Sequence, residues 1–157
     1  MMAAPHDLAE HRLSARLARD PGLVSETARH FGEFLEHRGL PGAEAFKLRL
    51  VLSEVLNNLV EHVQARHGDA AIEVECHLTA SRLYLVIRDS GPAMQALPAG
   101  AFPDGLSESG RGWPIIHSWA DQVRYRRGLG YNILEMERTI AAASLSSKQP
   151  CPPAGKC

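Results

Sequence analysis

Glu54, Asn58 and His62 stand four residues apart in the stretch Phe46-Lys47-Leu48-Arg49-Leu50-Val51-Leu52-Ser53-Glu54-Val55-Leu56-Asn57-Asn58-Leu59-Val60-Glu61-His62-Val63. On a helix that spacing sets them in one polar stripe, each a turn beyond the last. A carboxylate and a carboxamide one turn apart can serve as a proton acceptor and a hard oxygen ligand held side by side. The same residue types also form the solvated edge of many amphipathic helices, so the choice between the two rests on what else the chain supplies.

Two further stretches supply it. Leu83, Leu85 and Ile87 alternate with Tyr84, Val86 and Arg88, and the next residue on the Leu83 side is Asp89, followed by Ser90-Gly91-Pro92. If that side faces the core, a carboxylate points into the buried layer at the end of a strand, and burial demands a partner for it. Either it caps the turn through Ser90 and Gly91 or it waits for a ligand. Further on, Gly110-Arg111-Gly112 precedes Trp113-Pro114-Ile115-Ile116. Glycines opening a helix leave backbone amides accessible, which makes an anion site, and Pro114 fits the first turn, where its missing N–H does no harm.

The elements that must carry these groups are readable from periodicity. Leu13, Ala15 and Leu17 alternate with polar neighbours, a half-exposed strand over residues 10 to 18. Asp20-Pro21 is an N-cap and first-turn pair, and it starts a helix to about Arg38 that buries Leu23, Ala28, Phe31, Phe34 and Leu35. Gly39-Leu40-Pro41-Gly42 stops it. The central helix follows, from about Ala43 to Arg66, with Leu48, Val51, Leu52, Val55, Leu56, Leu59 and Val63 on its buried arc. Ile72, Val74, Cys76 and Leu78 then alternate with polar residues, predicting a strand that Ala80-Ser81 turns into the one ending at Asp89.

Residues 93 to 109 lack periodicity and carry Pro98, Gly100, Pro103 and Gly105, the composition of a lid or binding loop. After a helix from Trp113 to Ala120, Val123 to Arg126 and Tyr131 to Ile140 read as two strands joined at Gly128-Leu129-Gly130. The fold class is α+β: a two-layer sandwich with helices packed on one face of a mixed, mostly antiparallel sheet. Residues 10–140 form one domain, preceded by a nine-residue extension (1–9) and followed by a tail (141–157), rich in Ala, Ser and Pro, that is expected to be disordered.

Composition narrows the function classes. The 157 residues suffice for a core without disulfides or metal, with 45% apolar and 22% charged residues. Lys and Arg number 17 against 18 Asp and Glu, so no charge surplus drives binding to nucleic acid or to an anionic membrane. The beginning Met1-Met2-Ala3-Ala4-Pro5-His6-Asp7 has neither a basic nor an apolar leader region, and no apolar run reaches membrane-spanning length, so the expected location is cytoplasmic. Three cysteines agree: Cys76 sits on a strand's core side as an inert thiol, and Cys151 and Cys157 have no zinc-site spacing.

Taken in order, the helix Glu54-x-x-x-Asn58-x-x-x-His62, the strand end Asp89-Ser90-Gly91-Pro92, a long loop, and Ser109-Gly110-Arg111-Gly112 opening a helix resemble the ATPase fold shared by gyrase, the ninety-kilodalton heat-shock chaperone, sensor histidine kinases and the mismatch-repair ATPase. The chain is most similar to the small stand-alone branch of that group, the anti-sigma factor serine/threonine kinases of bacterial partner-switching systems. The resemblance covers roughly residues 10 to 140. It implies that Asn58 binds the magnesium bridging the nucleotide phosphates and that Glu54 is the general base toward a substrate hydroxyl. It further implies that Asp89 accepts from the adenine amino group, Gly91 lets backbone approach the base, Gly110 and Gly112 form the phosphate loop, and Arg111 adds charge toward the triphosphate. Ala93 stands where the pattern has a second glycine, and Trp113-Pro114 is bulkier and stiffer than the run that usually follows the phosphate loop.

The function so implied is Mg-ATP-dependent phosphorylation of a small anti-sigma-factor antagonist by a homodimeric kinase that also sequesters a sigma factor or another target. The alternative is a nucleotide-dependent partner-binding regulator without phosphotransfer. His62 is read as a structural residue beside the site, and Asn57, about 100° round the helix from Asn58, as second to it.

Overall fold

A computed structural model of the chain describes residues 10–62, 71–93 and 112–141. The elements are β1 (His11–Leu17), α1 (Pro21–His37), α2 (Gly42–His62), β2 (Ile72–Leu78), β3 (Arg82–Asp89), α3 (Gly112–Trp119), β4 (Gln122–Arg127) and β5 (Asn132–Thr139). The strands form one sheet in the order β1-β2-β3-β5-β4. All four pairings are antiparallel, so among the described residues the expected mostly antiparallel sheet is wholly so.

Side-chain alternation decides which face the helices cover. Register aligns Leu17 with Ile72, Val74 with Ile87 and Ile87 with Leu134, putting their side chains on one face. There they join Leu48, Val51, Leu52, Val55 and Leu56 of α2 and Ala28, Phe31 and Leu35 of α1 in a single core. Each fully buried aliphatic or aromatic side chain contributes about 1.5–3 kcal/mol relative to exposure, so this layer is the principal source of stability. Leu59 is half-buried, and α1 buries Val24 and Gly32 where Leu23 and Phe34 were expected, the latter two being only partly covered. Gly32 is buried because α2 comes so close that a Cβ there would lie 2.4 Å from Arg49 Cδ.

The opposite face is polar. Arg88 pairs with Glu75 at 2.9 Å, Arg126 with Glu135 at 3.2 Å, and Arg82 with Glu137. Such pairs add little stability, and among the described residues the large apolar cluster lies on the helix side.

Helix ends follow local chemistry. Asp20 is the N-cap of α1, its carboxylate accepting from Gly22 N at 2.8 Å, with Pro21 in the first turn. At the other end Gly39 takes φ 93°, Gly39 N donates to Glu36 O and Leu40 N to Leu35 O, both at 3.0 Å. This is the paired-bond closure that glycine's left-handed backbone permits. Gly130, at φ 81°, uses the same left-handed freedom in the turn from β4 to β5, which Gly128 N closes on Tyr131 O at 2.8 Å, with Leu129 fully exposed at the tip.

Candidate functional site

The site is built where the end of α2, the start of α3 and the end of β3 meet. Glu54, Asn57 and Asn58 are half-buried on α2, beside the buried arc of Val51, Val55 and Leu56. The first residue of α3 lies directly against two of them. A Cβ built on Gly112 would lie 2.8 Å from Glu54 Oε2, 3.6 Å from Glu54 Cβ and 3.5 Å from Asn58 Nδ2. Any side chain at position 112 would therefore displace the carboxylate, and glycine leaves the space in which backbone, Glu54 and Asn58 converge.

Arg138 fixes the far end of α3. Its Nη1 donates to Trp119 O at 2.6 Å, its Nε donates to Glu44 in the first turn of α2 at 3.0 Å, and its guanidinium stacks 5.7 Å from the Trp119 ring. With Trp119 near Glu44 and Gly112 near Glu54, α2 and α3 run antiparallel. Burial pushes the Glu44 carboxyl up, but hydrogen bonds from Lys47 and Arg138 outweigh it and hold the group below its ordinary value. The clamp is therefore ionic at neutral pH.

Asp89 ends β3 on the core side and is 4% exposed, as its alternation required. It does cap its turn: Gly91 N donates to Oδ2 at 2.8 Å. The same oxygen accepts from Arg19 Nη2 and Asn132 Nδ2, each at 3.4 Å. All three contacts fall on Oδ2, and among the described residues Oδ1 has no hydrogen-bond partner. The two alternatives open at the sequence level are compatible, because one oxygen anchors the turn and the other stays available to a donor.

Four residues that the sequence reading passed over complete the surroundings. Arg19 reaches from the end of β1 with Nη1 on Leu59 O at 2.8 Å and Nη2 on Asp89, so one guanidinium ties the turn of α2 after Asn58 to the end of β3. Asn132 lies opposite Asp89 in the β3–β5 register and is 6% exposed. Tyr125 and Arg127 of β4 both donate to Asn132 Oδ1, at 2.7 and 2.8 Å. Asn132 had a signal: it shares the inward parity of Leu134 and Met136, as Asp89 does that of Ile87. Arg19 has none, since it lies in the link between strand and cap where no periodicity applies.

Gly110, Arg111, the loop from 94 to 109, the side chain of His62 and the tail cysteines lie outside the described residues. Cys76 is buried, which pushes its thiol up to about 12 and fits an inert core position. No helix among the described residues is long and apolar enough to cross a membrane.

The model of the histidine kinase-like ATPase domain matches residues 17–138. The chain belongs to that family. Membership accounts for the layered α+β fold and implies ATP binding. Among solved structures, the chain is similar to the RsbU and RsbW domains of Rv1364c from Mycobacterium tuberculosis, with TM-score 0.61 and 17% identity over 82% of this chain. The match spans 32% of that longer chain, and at this identity it speaks for the fold alone. No curated protein matches the sequence.

Proposed function

We propose that the chain is an ATP-dependent serine/threonine protein kinase of the anti-sigma type, acting on a small antagonist protein and switching between that antagonist and a sigma factor or other target. The observation that carries this reading is the packing of Gly112 on both Glu54 and Asn58. It sets a carboxylate, a carboxamide and a helix N-terminus around one space, which are the groups that phosphoryl transfer needs for proton acceptance, cation binding and phosphate contact.

In this reading Asp89 Oδ1 accepts from the amino group of adenine, while Gly91 lies in the turn held beside it. Asn58 offers its amide oxygen to magnesium. A cation that keeps several waters and takes its remaining oxygens from phosphates needs only one or two protein ligands, and among the described residues no cluster of three His, Cys, Asp or Glu competes for it. Magnesium bound there would supply positive charge toward the phosphates. Glu54, one turn before Asn58, takes the proton from the attacking hydroxyl. Gly110 and Arg111, next to Gly112 in sequence, extend the phosphate contacts. A homodimer, with the outer edge of β1 open for pairing among the described residues, belongs to the same reading.

The test is transfer of labelled phosphate from Mg-ATP to the cognate antagonist, compared with Glu54→Gln. Label on a serine or threonine that disappears in the variant supports the kinase. Tight antagonist binding that responds to nucleotide, with no label transferred by the wild type, would replace it with a regulator that only binds.

A further inference from the structure

We infer that Asn132 is a positioning residue whose amide, oriented by Tyr125 and Arg127, holds the Asp89 turn in the form that discriminates the nucleotide base. This rests on the nucleotide reading of the site.

The geometry fixes the amide in one orientation. Asn132 Oδ1 accepts two hydrogen bonds, from Tyr125 Oη at 2.7 Å and Arg127 Nη1 at 2.8 Å, which fill its two lone pairs. Its Nδ2 then faces three acceptors: Pro92 O at 2.9 Å, Gly91 O at 3.3 Å and Asp89 Oδ2 at 3.4 Å. Reversing the amide would set an oxygen against two carbonyls and a carboxylate, and an NH2 against the Arg127 guanidinium, which can only donate, so only one orientation satisfies the network.

Consequences pass to Asp89. Asn132, Gly91 N and Arg19 all address Oδ2, which sets the carboxylate's rotation and leaves Oδ1 as the oxygen presented to a ligand. Arg127 strengthens the same turn by a second route, because its Nη1 also donates to Gly91 O at 2.7 Å. An acceptor fixed in this way favours a base that offers an exocyclic amino group over one that offers a carbonyl oxygen at that place. Tyr125, Arg127 and Asn132 act through Asp89 and the backbone of residues 91 and 92.

Two variants test it. Asn132→Asp replaces the donor by an oxygen facing three acceptors, and Arg127→Met removes two donor contacts from an exposed side chain whose loss the core tolerates. In nucleotide-free protein, the Gly91 amide should exchange with solvent about tenfold faster in both variants while Leu85 in the middle of β3 keeps its protection. With nucleotide, the ratio of ATP to GTP affinity should fall about tenfold in both, whereas a general weakening would lower both affinities together. Unchanged Gly91 exchange in folded variants, or an unchanged ATP to GTP ratio, would overturn the inference. A wild type that binds neither nucleotide would sink the nucleotide reading, and the Gly91 exchange would still decide whether Asn132 positions the turn.

Discussion

Gly112 and Glu54 occupy adjoining space: a Cβ on the first residue of α3 would lie 2.8 Å from the carboxylate oxygen of Glu54. The clash is with the end of a side chain that can rotate, so Gly112→Ala should change the melting temperature little while swinging the base out of place. Phosphotransfer should fall by about 10²-fold, the scale on which small misplacements of reacting groups cost rate. A loss of activity matched by an equal loss of folded protein would assign Gly112 to packing alone.

Glu54→Gln keeps shape and hydrogen bonding but cannot accept a proton. The expected result is a fall in turnover of about 10²- to 10⁴-fold with ATP affinity nearly unchanged. Single-turnover kinetics beside equilibrium titration separate the two quantities. Equal loss in both would place Glu54 in binding.

Arg19→Met leaves Asp89 buried with its charge less compensated and uncaps Leu59 O. Removing one partner of a buried pair costs about 3 kcal/mol, so urea denaturation should show a drop of that order. Neutralising the survivor in Arg19→Met/Asp89→Asn should recover part of it. A double variant no more stable than the sum of the singles would mean that the two side chains are not energetically coupled.

Acid should weaken the clamp that orients α3. Glu44 is held below its ordinary value of 4.5, so its contribution is present above that value and is lost as pH falls through the lowered one. Glu75, lowered by its hydrogen bond from Arg88, adds a dependence of the same sign on the outer face. The urea midpoint should therefore hold near neutrality and decline below about pH 4.5, less steeply in Arg138→Met, where Glu44 has lost its partner on β5. The same slope in that variant, where Lys47 still holds Glu44, would remove the Arg138 contact from the acid response.

Most of the fold was legible because its signals are local and repeated. Alternation in β2 and β3 predicted the buried face residue by residue, and it alone placed Asp89 in the core layer. The cap at Asp20 and the stop at Gly39 are written in residue types with one dominant use. Helix α1 was read less well: periodicity leaves a ridge's exact rotation open, and the helix buries Val24 and Gly32, the latter against Arg49 of α2, while Phe34 is partly exposed. The candidate site followed the same division. Glu54, Asn58 and Gly112 could be marked as chemical groups, but their convergence depends on how α3 crosses α2, which Arg138, Glu44 and the Trp119 carbonyl set across the fold. Asn132 and Arg19 were missed because their importance lies in partners distant in sequence, 43 and 70 residues away at Asp89.

The most direct measurement is calorimetric titration of the purified protein with ATP, with and without magnesium, beside Asp89→Asn and Asn58→Ala. A nucleotide site in which Asp89 Oδ1 meets the base and Asn58 meets the cation gives magnesium-dependent binding that both variants lose or greatly weaken, with Asn58→Ala losing most of its response to magnesium. Absence of binding by folded wild-type protein, or binding that neither substitution changes, would contradict it.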